Sequence, residues 1–187
     1  MHAAQQQAST AGRKTTERRR DLSACMGEGA AYGAMVGVGE AYLPAFVLAV
    51  GLIELTAGMV ASLPLLGGAM MQLVSPAAVR LLNSHKRWVL ICAAVQAACF
   101  VPLVYAALAG RISAPIVLLI ATCYWGAGLA TGPAWNTWVG TIVPRVLRTR
   151  FFARRTRLTQ IAVLAGLLGG AASIETVSYQ LRPPPAF

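Results

Sequence analysis

Fourteen of the sixteen Lys and Arg residues of this chain fall in three short stretches, 13–20, 80–87 and 145–157, with long apolar runs between them. Only Arg111 and Arg182 lie elsewhere. Loops rich in Lys and Arg stay on the cytoplasmic side of a membrane, while the loops that cross carry few, so the pattern reads as a polytopic membrane protein. Composition agrees. At 57% hydrophobic and 12% charged residues, with mean hydropathy +0.61, the 187-residue chain is more apolar than a soluble core of that size requires. The net charge of +10 raises nucleic acid as a partner. A nucleic-acid footprint gathers on one face of a soluble domain, however, whereas here the charge is partitioned along the chain, which suits anionic headgroups and not nucleic acid.

Crossing a hydrocarbon core of about 30 Å takes about 20 apolar residues in a helix. Four segments meet that length, at 26–50, 52–82, 88–109 and 115–142. A fifth, 158–173, is short for a full crossing, and the second carries Pro64 and Pro76, which predict a kink or an early exit. The expected organisation is a disordered basic arm over 1–25, a helical bundle over 26–173 and a non-helical tail over 174–187 ending in PPPAF. The arm lacks the apolar core of a cleaved signal. With the arm inside, the turns at 51–54 and 110–113 fall outside, and 80–87 and 145–157 inside. Trp88, Trp135 and Trp138 then sit near cytoplasmic ends, where aromatic belts form, and only Trp125 lies deep. The amino terminus is expected on the cytoplasmic side.

Glycines repeat at helical spacing. Gly29, Gly33 and Gly37 share a face of the first span, Gly128 and Gly132 a face of the fourth, and Gly166 and Gly170 a face of the fifth. Small residues at this interval let helix backbones approach where lipid removes the hydrophobic drive between them. Glu40 is the acidic residue farthest from any expected surface. A charge at that depth costs about 2.5–3.5 kcal/mol, so on a continuous helix it should share the Gly33 and Pro44 face and point into the bundle. Both a proton-coupling or substrate-contacting carboxylate and a protonated Glu satisfied by a neighbouring helix fit that position. In the fourth span Trp125, Gly128, Gly132 and Trp135 share a face beside Pro133 and Asn136, suited equally to lining a cavity or to a packing ridge. Gln96 reads as an interhelical hydrogen-bonding amide. Cys25, Cys92, Cys99 and Cys123 have no CxxC spacing and read as small buried hydrophobes, with no metal or cofactor site expected. No nucleophile and base constellation suggests an enzyme. Pro44 and Pro133 interrupt the first and fourth spans at matching depth, and paired interruptions of this kind mark the site of a transporter built from repeats.

GEAYLPAF, SLPLLGGAMMQLVSP, GPAWNTWVGTIVP and RTRFFARRTRL together resemble a bacterial branch of the major facilitator superfamily. The similarity runs over about 22–170. The resemblance implies a secondary transporter of two six-helix halves that moves a small solute by alternating access. It implies a bacterial inner membrane and places Glu40, Trp125 and Asn136 near the substrate or proton pathway; Gln96, from its position in the third span, is a further candidate. Lys86, Arg87, Arg148, Arg150, Arg154 and Arg155 fall in the cytoplasmic loops. The loop after the second helix departs from the family's G-x-x-x-D-R-x-G-R-K: Lys86 and Arg87 keep its basic end, but Ala78, Leu82, Asn83 and His85 replace Gly, Asp, Arg and Gly. The stretch 145–157 holds six arginines and no carboxylate.

The reading is therefore an all-α membrane protein of about five spans, most of one transporter half, expected to be a truncated or partial product that transports nothing alone. The alternative is a non-transporting scaffold or accessory subunit of a membrane complex. In either case the lipid bilayer is a partner, and a second copy or another membrane subunit is expected to cover the bundle.

Overall fold

The computed structural model describes the backbone of residues 2–180 and the side chains of 19–176. The chain is an all-α membrane protein. Among the described residues, five helical segments are long and apolar enough to cross a bilayer: Arg19–Ala49, Glu54–Leu82, His85–Ala109, Ala114–Ile142 and Arg145–Thr176. Large apolar side chains stand on their outer surfaces, with Leu73 79%, Leu81 86% and Leu108 84% exposed. Helices that satisfy their own backbone and turn leucine outward have lipid as their solvent. The helices fall into two compact units, Tyr42–Thr141 and the pairing of Met1–Ala41 with Ile142–Phe187.

In the second of these units, α1 spans His2–Val38 and α6 spans Arg148–Gln180. Residues 2–25 are thus helical and not the disordered arm that their polarity predicts. The physical reason lies in the composition: Ala, Gln, Arg, Lys and Glu are good helix formers, no proline intervenes, and extending an existing helix avoids the cost of a new nucleus. The same holds at the other end. Residues 174–180, expected as a non-helical tail, continue α6, because SIETVSYQ contains no breaker before the prolines at 183–185. The fifth span is therefore not short, since its polar flanks belong to the helix as well.

Helices α1 and α6 run parallel. Gly29 lies opposite Arg155 and Thr159, Gly33 opposite Thr159 and Ala162, and Gly37 opposite Val163 and Gly166, so residue numbers climb together along the contact. A first and a fifth span are parallel when each intervening segment crosses once. The parallel arrangement also gathers the basic residues at the start of α1 and those at the start of α6 at one end of the pair.

After Val38 the first span breaks. The Gly39 N–H still donates to the Met35 carbonyl at 2.9 Å, but a 3-10 turn follows at Glu40–Tyr42 before α2 resumes at Leu43–Ala49 with Pro44 in its first turn. Pro44 has no N–H to give to the Glu40 carbonyl and its ring crowds that oxygen, and Gly37 and Gly39 weaken the preceding turn. The continuous-helix geometry expected to align Glu40 with Gly33 and Pro44 does not exist. Pro64, Pro76 and Pro133 leave their helices continuous, so the second span does not exit early at Pro76 and the fourth has no interruption to match the one near Pro44.

The other unit contains α2, α3 (Glu54–Leu82), α4 (His85–Ala109) and α5 (Ala114–Ile142) up to Thr141. Its turns use residues that accept a left-handed backbone: Gly51 at φ 83°, Asn83 at φ 49° and Gly110 at φ 65°. Val47, Ala57, Val60, Val117 and Ala121 form the core where α2, α3 and α5 meet. Ser84 caps α4 by accepting the Arg87 N–H at 3.2 Å.

Candidate functional site

Polar groups enter the α2–α5 unit where small residues make room for them. The Gln96 side chain is 9% exposed, and its amide lies over Gly128: a Cβ placed there would stand 2.6 Å from Nε2. Sequence reading assigned Gln96 an interhelical role and Gly128 a packing role, and the two meet each other. Gly132 does not pack. Beyond its own helix and chain neighbours, nothing lies within 4 Å of a Cβ built there.

Trp125 packs edge-on against Tyr124, with ring centroids 6.2 Å apart, and its carbonyl lies 3.0 Å from a Cβ built on Gly68. The close approach is thus made by the backbone of α5 against a glycine of α3. Asn136 is exposed.

Nearer the end of α4 that carries Lys86 and Arg87, the Trp88 Nε1–H donates to the Ser75 hydroxyl at 3.0 Å and to the Ala130 carbonyl at 3.2 Å. Expected as a belt aromatic, Trp88 instead ties three helices together. Indole is a single donor, and sharing it between α3 and α5 satisfies a serine that is 1% exposed. Beside it Ser75, Pro76, Arg80, His85, Pro133 and Thr137 line an open cavity of about 300 Å³. The end of α5 therefore lies beside the basic α3–α4 turn. Sequence reasoning missed this cavity, although Ser75 beside Pro76 in an apolar run was a visible signal.

In the α1–α6 unit, Gly29, Gly33 and Gly37 are buried and α6 covers them; at Gly33 a Cβ would meet the Thr159 carbonyl and at Gly37 the Val163 carbonyl. Arg155, expected as a loop residue, lies on this seam. Its Nη2 donates to the Glu28 carboxylate at 2.6 Å and its Nε to the Cys25 carbonyl at 3.3 Å. Arg148 donates from Nε to the Val143 carbonyl at 3.2 Å, while Arg150 and Arg154 line a cavity of about 620 Å³ with Arg157. Glu40 is half-buried in the 3-10 turn that interrupts the first span, and it takes part in a polar interaction.

Comparison of the chain with family models, curated proteins and solved structures finds no match. Fold and site together define a class, a multi-pass all-α membrane protein.

Proposed function

We propose that the chain is a secondary-transporter-like protein of the major facilitator type, with its amino terminus on the cytoplasmic side of a bacterial inner membrane. The reading rests on the interrupted first span with Glu40 in its turn. Non-helical backbone at membrane depth persists only where protein or water satisfies its freed groups, and discontinuous helices of this kind form the solute and ion sites of secondary transporters. A carboxylate in that turn adds a titratable group at a place where ionisable residues serve transport or proton relay. The resemblance of GEAYLPAF and GPAWNTW to the superfamily supports the same assignment. Glu40 is the proposed proton-coupling carboxylate.

Proton movement tests this directly. The protein is reconstituted in liposomes loaded with a pH-sensitive dye and challenged with sugars, amino acids and lipophilic cations in turn. Solute-stimulated, saturable proton flux that is lost in Glu40→Gln is the expected result, with a second copy completing the cavity that one copy alone does not supply. A well-folded protein that gives no flux with any solute class, or flux unchanged in Glu40→Gln, overturns the assignment.

A further inference from the structure

The six arginines of 145–157 do not share one environment. Arg155 is engaged by Glu28 and the Cys25 carbonyl, and Arg148 by the Val143 carbonyl. Arg150, Arg154 and Arg157 instead line one cavity of about 620 Å³, and among the described residues no carboxylate pairs with them. With Ile161 they follow intervals of four, three and four, which set all four residues on one stripe of α6. Ala153 lines the cavity with the arginines, and Leu158, Ile161 and Met26 of α1 form its apolar wall.

Such a cluster is unfavourable by itself. Like charges at i and i+4 repel, and the first turn of α6 holds Arg148 and Arg150 and no acid, although a helix N-terminus carries positive partial charge. Both effects reverse when an anion enters. Guanidinium forks match phosphate oxygens two at a time, so three of them within two turns of helix build a phosphate site. The order of residues then narrows the source of the phosphate. Polar groups come first along α6 and apolar ones after, over about 16 Å from Arg150 to Ile161 at 1.5 Å per residue. That is the polar-to-apolar sequence of a lipid entering a bilayer, and a free phosphate ion has no use for the Leu158, Ile161 and Met26 wall.

We propose that this cavity is a binding site for an anionic phospholipid, with its phosphodiester held by Arg150, Arg154 and Arg157 and the start of an acyl chain laid against Leu158, Ile161 and Met26. The site differs from general attraction of basic loops to a charged surface, because it assigns three arginines to one headgroup and leaves Arg148 and Arg155 out. It is independent of solute transport.

Thermal unfolding in neutral detergent tests it, with phosphatidylglycerol, phosphatidylcholine or inorganic phosphate added to the purified full chain. Phosphatidylglycerol is expected to raise the melting temperature saturably, with the half-saturating concentration at least tenfold higher in Arg150→Gln/Arg154→Gln/Arg157→Gln. The control Arg18→Gln/Arg19→Gln/Arg20→Gln removes the same charge from α1 and is expected to respond like wild type. Arg154→Gln alone and Arg154→Lys guard against misfolding of the triple variant, and both are expected to weaken the response, the glutamine more. Equal loss in both triple variants would show diffuse charge attraction and overturn the site. Inorganic phosphate as effective as the lipid would make it a free-anion site and overturn the lipid assignment. A non-saturable response, or one equally strong with phosphatidylcholine, would overturn it as well.

Discussion

Arg155 on α6 reaches Glu28 on α1 across 2.6 Å, an ion pair between residues 127 positions apart that sits at the basic end of a glycine-lined seam. The arginine is 15% exposed and the glutamate 49%, so the two ends of the bond are unequal. Arg155 also donates to the Cys25 carbonyl and lies against Gly29, whereas Glu28 faces outward.

The asymmetry sets the first prediction. Removing Glu28 as Glu28→Ala is expected to cost no more than about 1 kcal/mol, as for half-exposed pairs generally. Arg155→Ala is expected to cost more, because it also frees a backbone carbonyl and empties the contact over Gly29. Exchanging the two residues is expected not to restore stability, since a glutamate at 155 has nothing to donate to the Cys25 carbonyl. Melting temperatures of the three variants in detergent check the order.

Topology gives the second. Reporter fusions after Ser84, Ile112, Thr149 and Gln180 are expected to read inside, outside, inside and outside. The parallel contact of α1 with α6 requires the last of these, because two helices that cross in the same direction have their carboxyl ends on the same face. An inside signal at Gln180 would leave α6 as a helix that does not cross.

How far the sequence disclosed this arrangement depends on the kind of signal. Apolar length placed four spans and the middle of the fifth, and the four-residue glycine interval located the Gly29, Gly33 and Gly37 face, because both depend only on neighbours along one helix. The partner of that face was not legible: nothing in α1 specifies that α6, over a hundred residues on, supplies the Thr159 and Val163 carbonyls. The same distance hid Glu28 from Arg155. Pro44 and Pro133 looked equivalent in their glycine-rich surroundings, yet only the first sits at a break, and no contact of Pro133 explains the difference. Polar flanks misled in the other direction. Residues 2–25 and 174–180 were read by polarity, whereas helix continuation follows propensity and the absence of breakers.

The bifurcated indole of Trp88 supports a third prediction. Trp88→Phe keeps the ring but deletes the N–H that Ser75 and Ala130 share. The Ser75 oxygen loses its donor, but its own O–H can still donate to the carbonyl one turn earlier on its helix, so the group is not left wholly unpaired and the loss is expected to be on the order of 1 kcal/mol. Ser75→Ala in the Trp88→Phe background is expected to add little, because the cross-helix bond is already gone. Equal and additive losses in a double-mutant cycle would show that the two side chains do not interact.

Three glycine-to-alanine substitutions separate packing from propensity. Alanine in a helix interior is favoured over glycine by about 1 kcal/mol, so each variant starts from the same gain, and its surroundings decide the sign. At Gly132 a Cβ meets nothing within 4 Å beyond its chain neighbours, but the ring of Pro133 crowds a Cβ on the helical residue before it, so Gly132→Ala is expected to keep only part of that gain. At Gly128 the new methyl meets the Gln96 amide, the end of a side chain with three rotatable bonds, and displacing it offsets the gain to give a result near zero. Gly33 faces the Thr159 backbone carbonyl, which moves only if α6 moves, and the Ala162 methyl lies 3.1 Å from the same Cβ. Overpacking against a fixed helix costs about 1–3 kcal/mol, so Gly33→Ala is expected to destabilise on balance and to loosen α1 from α6. Melting temperatures ordered Gly132→Ala, then Gly128→Ala, then Gly33→Ala, with a cysteine pair across α1 and α6 crosslinking more slowly only in the last, would match the parallel seam. A Gly33→Ala protein as stable as Gly132→Ala would mean that α6 does not cover that face.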